Sequence, residues 1–302
     1  MKIKVRVPAS TSNLGSGFDV FGAALKLYNE YEVETVAKNG GFVFKGEGKD
    51  KLYRDESNLF WQIMSKTFKS LKCKKYSLKN LKITINSRIP LSSGLGSSAS
   101  AIVGAIAAAH FLCGKNPLKK VIAQIACDIE GHPDNAVPAS CGGVCLCYKD
   151  MSGKTDFVKF PVSNLKLVIV NPFFEISTNK ARKALPKKYP IKDIVFNLSR
   201  ISLLTAAFAS KKYDLLKEAV CDKLHQSYRS KNIPFTKEIF EAAIKAGAKA
   251  AFISGSGPSL AAFCEPKKAA KVCSAMKKVW QANKIKTKTY ILDFDKEGLV
   301  RF

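Results

Sequence analysis

"PLSSGLGSSAS", Pro90 to Ser100, is the stretch on which the reading of this chain turns. Its glycines and serines leave no bulky side chain between Leu95 and Ile102. A Gly-x-Gly turn that runs into a helix presents free backbone N–H groups and the positive end of the helix dipole. Gly94 and Gly96 permit positive φ and close approach, while Ser97, Ser98 and Ser100 add hydroxyls. Such a turn makes an anion site, with phosphate as the natural anion. Small residues would also fit a tight turn packed against another helix, the lesser of the two readings. The stretch is not a Walker A loop, because no Gly-Lys-Ser/Thr follows, and G-x-G-x-x-G is not satisfied either. A different nucleotide-binding class is required.

On either side of the loop the pattern alternates strands with helices. Ile3, Val5 and Val7 interleave with Lys2, Lys4 and Arg6, which predicts an opening strand. "PASTSNLGSGFD" then reads as a loop. Strands are expected around 31–37, 42–45 and 81–86, with a helix over 58–71 carrying Phe60, Met64, Phe68 and Leu71 on one face. The loop leads into an alanine-rich helix ending near Cys113. Pro117 opens another that stops before "GHPDN", and a strand follows around 144–147. A second unit begins near the turn "KDMSGKT", giving a division into residues 1–155 and 156–302. It holds strands at 165–170 and 287–293, helices at 178–185, 193–209, 213–224, 236–246 and 266–282, and a strand, glycine turn and strand in "AAFISGSGPSLAAFCE". Mixed sheets with helices, in two units, give an α+β class.

The formal charge of +26 on 302 residues raises the question of a nucleic-acid partner. Only seven of the fifty cations are arginines, and the 43 lysines are spread over every segment. Arginine is the residue that forks onto phosphate or guanine, so no nucleic-acid partner is expected. No apolar run reaches 18 residues, and "MKIKVRV" is not a signal-peptide core, so no membrane partner and a cytoplasmic location are expected. Nine scattered cysteines without paired C-x-x-C spacing read as free thiols, with Cys145 and Cys147 facing inward from a strand.

"PASTSNLGSGFDVFG" (8–22), the glycine loop, "EGHPDNAVPASCGG" (130–143) and "ISGSGPS" (253–259) occur in that order. Together they resemble the GHMP kinase superfamily over nearly the whole chain. Asn13, Asp19 and the "HPDN" segment are similar to the marks of its homoserine-phosphorylating branch. The resemblance implies a two-domain fold: an N-terminal domain with a left-handed βαβ crossover and a ferredoxin-like C-terminal domain. It also implies transfer of phosphate from ATP, with Mg2+, to the hydroxyl of L-homoserine in threonine synthesis, by a homodimer. Other acceptors, such as mevalonate or a sugar alcohol, remain open to the same fold, as does an idle nucleotide sensor.

Residue by residue, the resemblance implies nucleotide contacts at Pro90, Leu91, Ser92, Ser93, Gly94, Leu95, Gly96, Ser97, Ser98, Ala99 and Ser100. Asn58 matches a position near the adenine, though a plain helix cap explains it equally. Ser98 and Glu130 match the magnesium ligands; Gln124 stands at the longer spacing of several relatives and supplies no charge. A zwitterionic amino acid needs an anion for its ammonium group and cations for its carboxylate. The resemblance implies Asp19 for the first, and Arg182 and Arg229 for the second. Thr178, Asn13, His132 and Gly255 complete the implied substrate pocket, although a lone histidine also suits a structural hydrogen bond. Asn135 matches the residue at the reacting hydroxyl, and Asp134 the proton-accepting aspartate of mevalonate-type relatives.

Overall fold

The computed structural model describes residues 1–302, the side chain of Thr178 excepted. Its first unit runs β1 (Lys2–Ser12), β2 (Phe21–Thr35), β3 (Gly41–Gly46), α1 (Leu59–Ser70), β4 (Leu81–Ser87), α2 (Ser97–Leu112), α3 (Lys119–Glu130), α4 (Pro133–Cys141), β5 (Val144–Lys149) and β6 (Thr155–Phe160). The second continues with β7 (Lys166–Pro172), α5 (Thr178–Lys183), α6 (Ile191–Ser210), α7 (Leu216–Ala219), α8 (Gln226–Arg229), α9 (Thr236–Lys245), β8 (Ala250–Ile253), β9 (Leu260–Cys264), α10 (Ala269–Ala282), β10 (Thr287–Leu292) and β11 (Val300–Arg301).

The long strand β2 organises the first sheet. Its N-terminal end pairs with β5, its C-terminal end with β4, and β1 flanks it along its length. β3 and β4 are the parallel pair, joined through α1 in a βαβ unit. β6 hydrogen-bonds to β5, and β11 returns from the far end of the chain to pair with β1. The division expected after residue 155 therefore meets a strand that still belongs to the first sheet. The second sheet has the order β10-β7-β9-β8, all antiparallel. Counted within its own unit that order is 4-1-3-2, the ferredoxin-like arrangement.

α2 lies at the centre of the first core. Beyond its first turn, from Ile102 to Leu112, every residue is buried, so the helix is packed on all sides rather than along one stripe. Gly104 makes room for the Tyr31 ring, whose carbon would lie 2.7 Å from an added Cβ. Tyr31 in turn stacks on Phe60 and shares a hydrogen bond with Ser100. A second core, including Phe21, Phe160, Phe208 and Phe263, joins the two units, and a third packs α9 and α10 on the second sheet.

Two local expectations are corrected, and one helix is added for which none was expected. "PASTS" is strand, not loop: β1 runs on to Ser12, pairing residues 9–12 with 22–25 after a register shift at Pro8. The "HPDN" segment opens a helix, α4, with Pro133 in the first turn where a missing N–H costs nothing. The helix expected over 213–224 is only α7, preceded by a short 3₁₀ turn. It ends at Val220, whose backbone is pressed so close to Gly15 that a Cβ there would sit 2.3 Å from the Val220 oxygen. Asp222 then takes backbone N–H groups of Leu224, His225 and Gln226, starting a new turn. All nine cysteines are free, and Cys145 and Cys147 are buried as expected. No described helix is long and apolar enough to cross a membrane.

Candidate active site

The glycine loop ends on α2 with Gly96 as its N-cap, in the left-handed conformation and without any side-chain capping bond. The first N–H groups of that helix consequently face outward unfilled, with the dipole of sixteen residues behind them. They open on a cleft of about 430 Å³ between the two units. Ser92, Ser93, Gly94, Ser97, Ser98 and Ala99 line it on the loop side. Leu95 and Ser100, counted with the loop in sequence, are fully buried instead: Leu95 in the core between the units, Ser100 against Tyr31. Pro90 lines a separate recess on the other side of Leu91.

The emptiness of the loop has a protein cause as well. A Cβ on Gly94 would lie 2.2 Å from the Ser254 carbonyl oxygen, and one on Gly96 would lie 2.0 Å from the Ser10 hydroxyl. Both glycines also have positive φ. The loop is thus clamped between β1 and the glycine turn of the second unit. Ser254 Oγ donates to the Gly94 carbonyl at 2.7 Å, which leaves Thr11 as donor in the 2.9 Å bond between Thr11 and Ser254. The Ser259 N–H reaches the Ser93 carbonyl, and the Gly255 N–H the Ser12 carbonyl.

A second recess of about 350 Å³ adjoins the cleft and shares Leu59, Ser92, Ser97 and Ser98 with it. Tyr53 and Asn58 lie in its wall. Asn58 caps α1, accepting from the Phe60 N–H at 2.9 Å, and donates to the Tyr53 carbonyl at 2.7 Å. Its amide therefore builds the wall. A cleft over a helix N-terminus with an apolar side recess has the proportions for a triphosphate and its base.

The other wall of the cleft carries the acids. Glu130, the last residue of α3, is half-buried, and its Oε2 is shut off from solvent with no hydrogen-bond partner among the described residues. Burial pushes this carboxyl up to about 7; His132 pulls it down and Asp134 adds to the rise. His132 Nδ1 lies 2.6 Å from Asp134 Oδ1. Burial alone would lower the His132 ring, but its bond to Asp134 and the charges of Asp134, Glu130 and Asp19 outweigh that, and the net direction is up. Asp134 is 1% exposed, and its backbone oxygen is so close to β2 that only glycine fits at position 22.

Asn135 is pinned by hydroxyls that sequence reasoning passed over. Ser10 donates to its Oδ1 at 2.8 Å, and its Nδ2 donates to Ser12 Oγ at 3.0 Å. The extended backbone of β1 puts Ser10 and Ser12 on one face, toward Asn135, and Thr11 on the other, toward Ser254. That alternation of hydroxyls was the available signal. Asn13 donates to the Gly255 carbonyl at 2.9 Å and accepts from the Asp19 N–H at 3.0 Å, so it ties the first loop to the second unit. Asn13 and Asp19 both hold positive φ, which these short polar side chains tolerate.

Asp19 and Arg182 form a bidentate ion pair, with Nη1 to Oδ2 at 3.0 Å and Nη2 to Oδ1 at 2.9 Å. The two groups assigned to opposite ends of a zwitterion therefore hold each other. Arg229 lies in the same cleft, buried, over the Phe18 ring at 5.2 Å. Thr178 lies outside the described side chains. Of the remaining residues singled out in sequence, Asn13, Asp19, Glu130, His132, Asp134, Asn135, Arg182, Arg229 and Gly255 all meet at this one cleft.

A glycine-loop helix end facing paired acids and arginines across two such units defines a small-molecule kinase of the GHMP class. Residues 58–143 match the model of the GHMP kinases N terminal domain, and residues 204–282 that of the GHMP kinases C terminal domain. A homoserine kinase of Caldanaerobacter subterraneus is 40% identical over 98% of this chain and 94% of its own length. One of Aquifex aeolicus is 44% identical over 85% of each chain. The crystal structure of homoserine kinase from Cytophaga hutchinsonii covers 100% of this chain and 97% of its own, with a TM-score of 0.88 and 29% identity. A mevalonate kinase structure, at 16% identity and a TM-score of 0.72, shares the fold. The chain belongs to the homoserine kinase family, and as a kinase of that family it takes ATP as phosphoryl donor.

Proposed function

We propose that this chain transfers the γ-phosphoryl group of ATP to the side-chain hydroxyl of L-homoserine, releasing O-phospho-L-homoserine for threonine synthesis. The observation that carries the reading is the meeting of Asp19, Arg182 and Arg229 in the cleft onto which the α2 N-terminus opens. A neutral polyol or a simple hydroxy acid has no use for both signs of charge. A zwitterion can exchange with the Asp19–Arg182 pair: its ammonium group takes over the carboxylate and its carboxylate takes over the guanidinium. Asn13 and Gly255 frame that end of the pocket.

The triphosphate rests on the N–H groups of Ser97, Ser98 and Ala99, with its base in the adjoining recess near Asn58. Mg2+ fits the donors present: an orphaned, buried carboxylate oxygen on Glu130 and the Ser98 hydroxyl in the same cleft are hard oxygen ligands. When bound, such an ion neutralises charge on the phosphoryl oxygens. Asn135, immobilised by Ser10 and Ser12, orients the attacking hydroxyl. Phosphoryl transfer depends chiefly on alignment and charge neutralisation, so a base is of secondary weight. Asp134, tied to His132, is the candidate acceptor for the hydroxyl proton.

Residues 1–155 are proposed as the ATP-binding part and 156–302 as the part that completes the substrate site, in a cytoplasmic homodimer. The test of function is ADP release from Mg-ATP with L-homoserine, mevalonate or galactose, with the product weighed by mass spectrometry. Release that depends on homoserine and yields O-phosphohomoserine supports the reading. Turnover with another alcohol alone would discard the roles of Asp19, Arg182 and Arg229. Sedimentation of the pure protein tests the dimer.

A further inference from the structure

Arg229 is held from behind by a histidine. Its Nη1 donates to the Gly255 carbonyl at 2.9 Å and lies 3.3 Å from Nδ1 of His225. A guanidinium offers only donors, so His225 Nδ1 is the acceptor. The other ring nitrogen, Nε2, lies 2.7 Å from the Gly15 carbonyl oxygen, which only accepts, so Nε2 carries the hydrogen. The two contacts together specify a neutral ring in its Nε2–H form. An imidazolium would aim an N–H at the guanidinium and set two positive charges in contact.

The surroundings agree. His225 is fully buried and stacks on Phe18 with ring centres 5.1 Å apart, the same ring that lies under Arg229. The charged groups that face it are Asp222, Arg229 and, from the first loop, Asp19. Asp222 Oδ2 is 3.7 Å from Nε2, but its oxygens already accept three backbone N–H groups. Burial lowers the ring's pKa, Asp222 opposes that and Arg229 reinforces it; the net direction is down.

With one Nη1 hydrogen on Gly255 and the other on His225, that nitrogen is fully used. Nε of Arg229 is buried without a partner among the described residues, which leaves the Nε–Nη2 edge to meet a ligand. We propose that His225 is a positioning residue: it fixes Nη1 of Arg229 so that the unfilled Nε–Nη2 edge grips the carboxylate of the amino-acid substrate side-on. This rests on the assignment of Arg229 to the substrate carboxylate, and the experiment separates the two.

Steady-state kinetics are measured for Arg229→Ala, His225→Gln and His225→Asn, varying L-homoserine and ATP, with the Tm of each. Glutamine keeps a donor near the Nε2 position and loses the acceptor toward Arg229; asparagine keeps an acceptor near the Nδ1 position and loses the Gly15 bond. Arg229→Ala is expected to raise the homoserine KM by about 100-fold, as for a lost charge-assisted pair. His225→Gln is expected to raise it about 10-fold with the ATP KM unchanged. His225→Asn is expected to lower Tm yet keep the homoserine KM within about 3-fold of the parent, because the acceptor is retained. Equal KM effects of the two His225 variants, or a parent-like KM in His225→Gln, would overturn the positioning role. An unchanged KM in Arg229→Ala would instead overturn the carboxylate assignment on which it rests. The ring tautomer is read on the unaltered protein by ¹⁵N NMR: Nε2–H at pH 7 is expected, and Nδ1–H or an imidazolium would refute the proposal even if no variant folds.

Discussion

Replacing Glu130 by glutamine should stabilise the ligand-free protein at alkaline pH while abolishing most of its activity. In the folded chain this carboxyl is half-buried, with Oε2 shut off from solvent, and the desolvation pushes it up to about 7, against an ordinary value of 4.5. At pH 8 the unfolded chain carries it fully ionised, and folding must either bury the charge or take up a proton. The gap between 4.5 and 7 corresponds to about 3 kcal/mol, at ~1.4 kcal/mol for each tenfold step. Because the folded value is the higher one, the folded chain binds more protons between those limits. The contribution is therefore most favourable below 4.5, declines as pH rises, and levels off above 7. Glutamine has the same shape and no charge. Its unmet hydrogen bonds cost ~1–3 kcal/mol, but equally at every pH. Urea unfolding midpoints of both proteins, taken from pH 4.5 to 8 without metal or nucleotide, isolate the slope: the parent should lose ground to the variant across that interval. Added Mg2+ and ADP should then raise the parent's midpoint at pH 8 more than the variant's, and kcat of the variant should fall by about 100-fold or more. Parallel stability curves would refute the buried, unpartnered state of Glu130, and equal protection by Mg2+ and ADP would refute its role as a ligand of the metal.

Other outcomes follow from the same geometry. Gly94→Ala places a Cβ against the Ser254 carbonyl and in a positive-φ conformation, so it should cost about 2–4 kcal/mol and raise the ATP KM; thermal melts and ATP titration check both, and an unchanged Tm would show that the loop is not clamped as described. Ser10→Ala with Ser12→Ala frees the Asn135 amide, and should lower kcat about 10-fold with little change in either KM; a KM effect alone would move Asn135 from alignment to binding. Asp134→Asn removes a proton acceptor but keeps the shape, and kcat should drop by about 10²-fold if a base matters here; a parent-like kcat would assign the step to alignment and charge neutralisation alone. Arg182→Ala should raise the homoserine KM strongly and leave the ATP KM unchanged; the opposite pattern would remove the Asp19–Arg182 pair from the amino-acid pocket.

What the sequence alone determined is local or periodic. A glycine turn running into an apolar helix must expose N–H groups at the helix start, whatever surrounds it, and α2 begins there. Asn58 ahead of the apolar spacing of α1 becomes a cap because only the next two residues are needed. The ordered motifs then carried the class of fold, including the parallel pair β3 and β4, which periodicity cannot orient. The tertiary structure decided whatever joins distant segments. Asp19 and Arg182 are 163 positions apart, and nothing near either shows that they pair in the absence of substrate. Ser254, from the second unit, explains the missing side chain at Gly94 as directly as any phosphate does. The helix expected through residue 224 stops at Val220 because Gly15, two hundred residues earlier, packs on that backbone. Glu130 is an ordinary exposed-looking glutamate in the string; the packing around the end of α3 half-buries it and shuts one oxygen off from water without a partner. Hydrogen-bonding capacity and intrinsic propensity belong to the residue and can be read in order along the chain. Desolvation, steric exclusion and ion pairing belong to neighbours that only folding brings together.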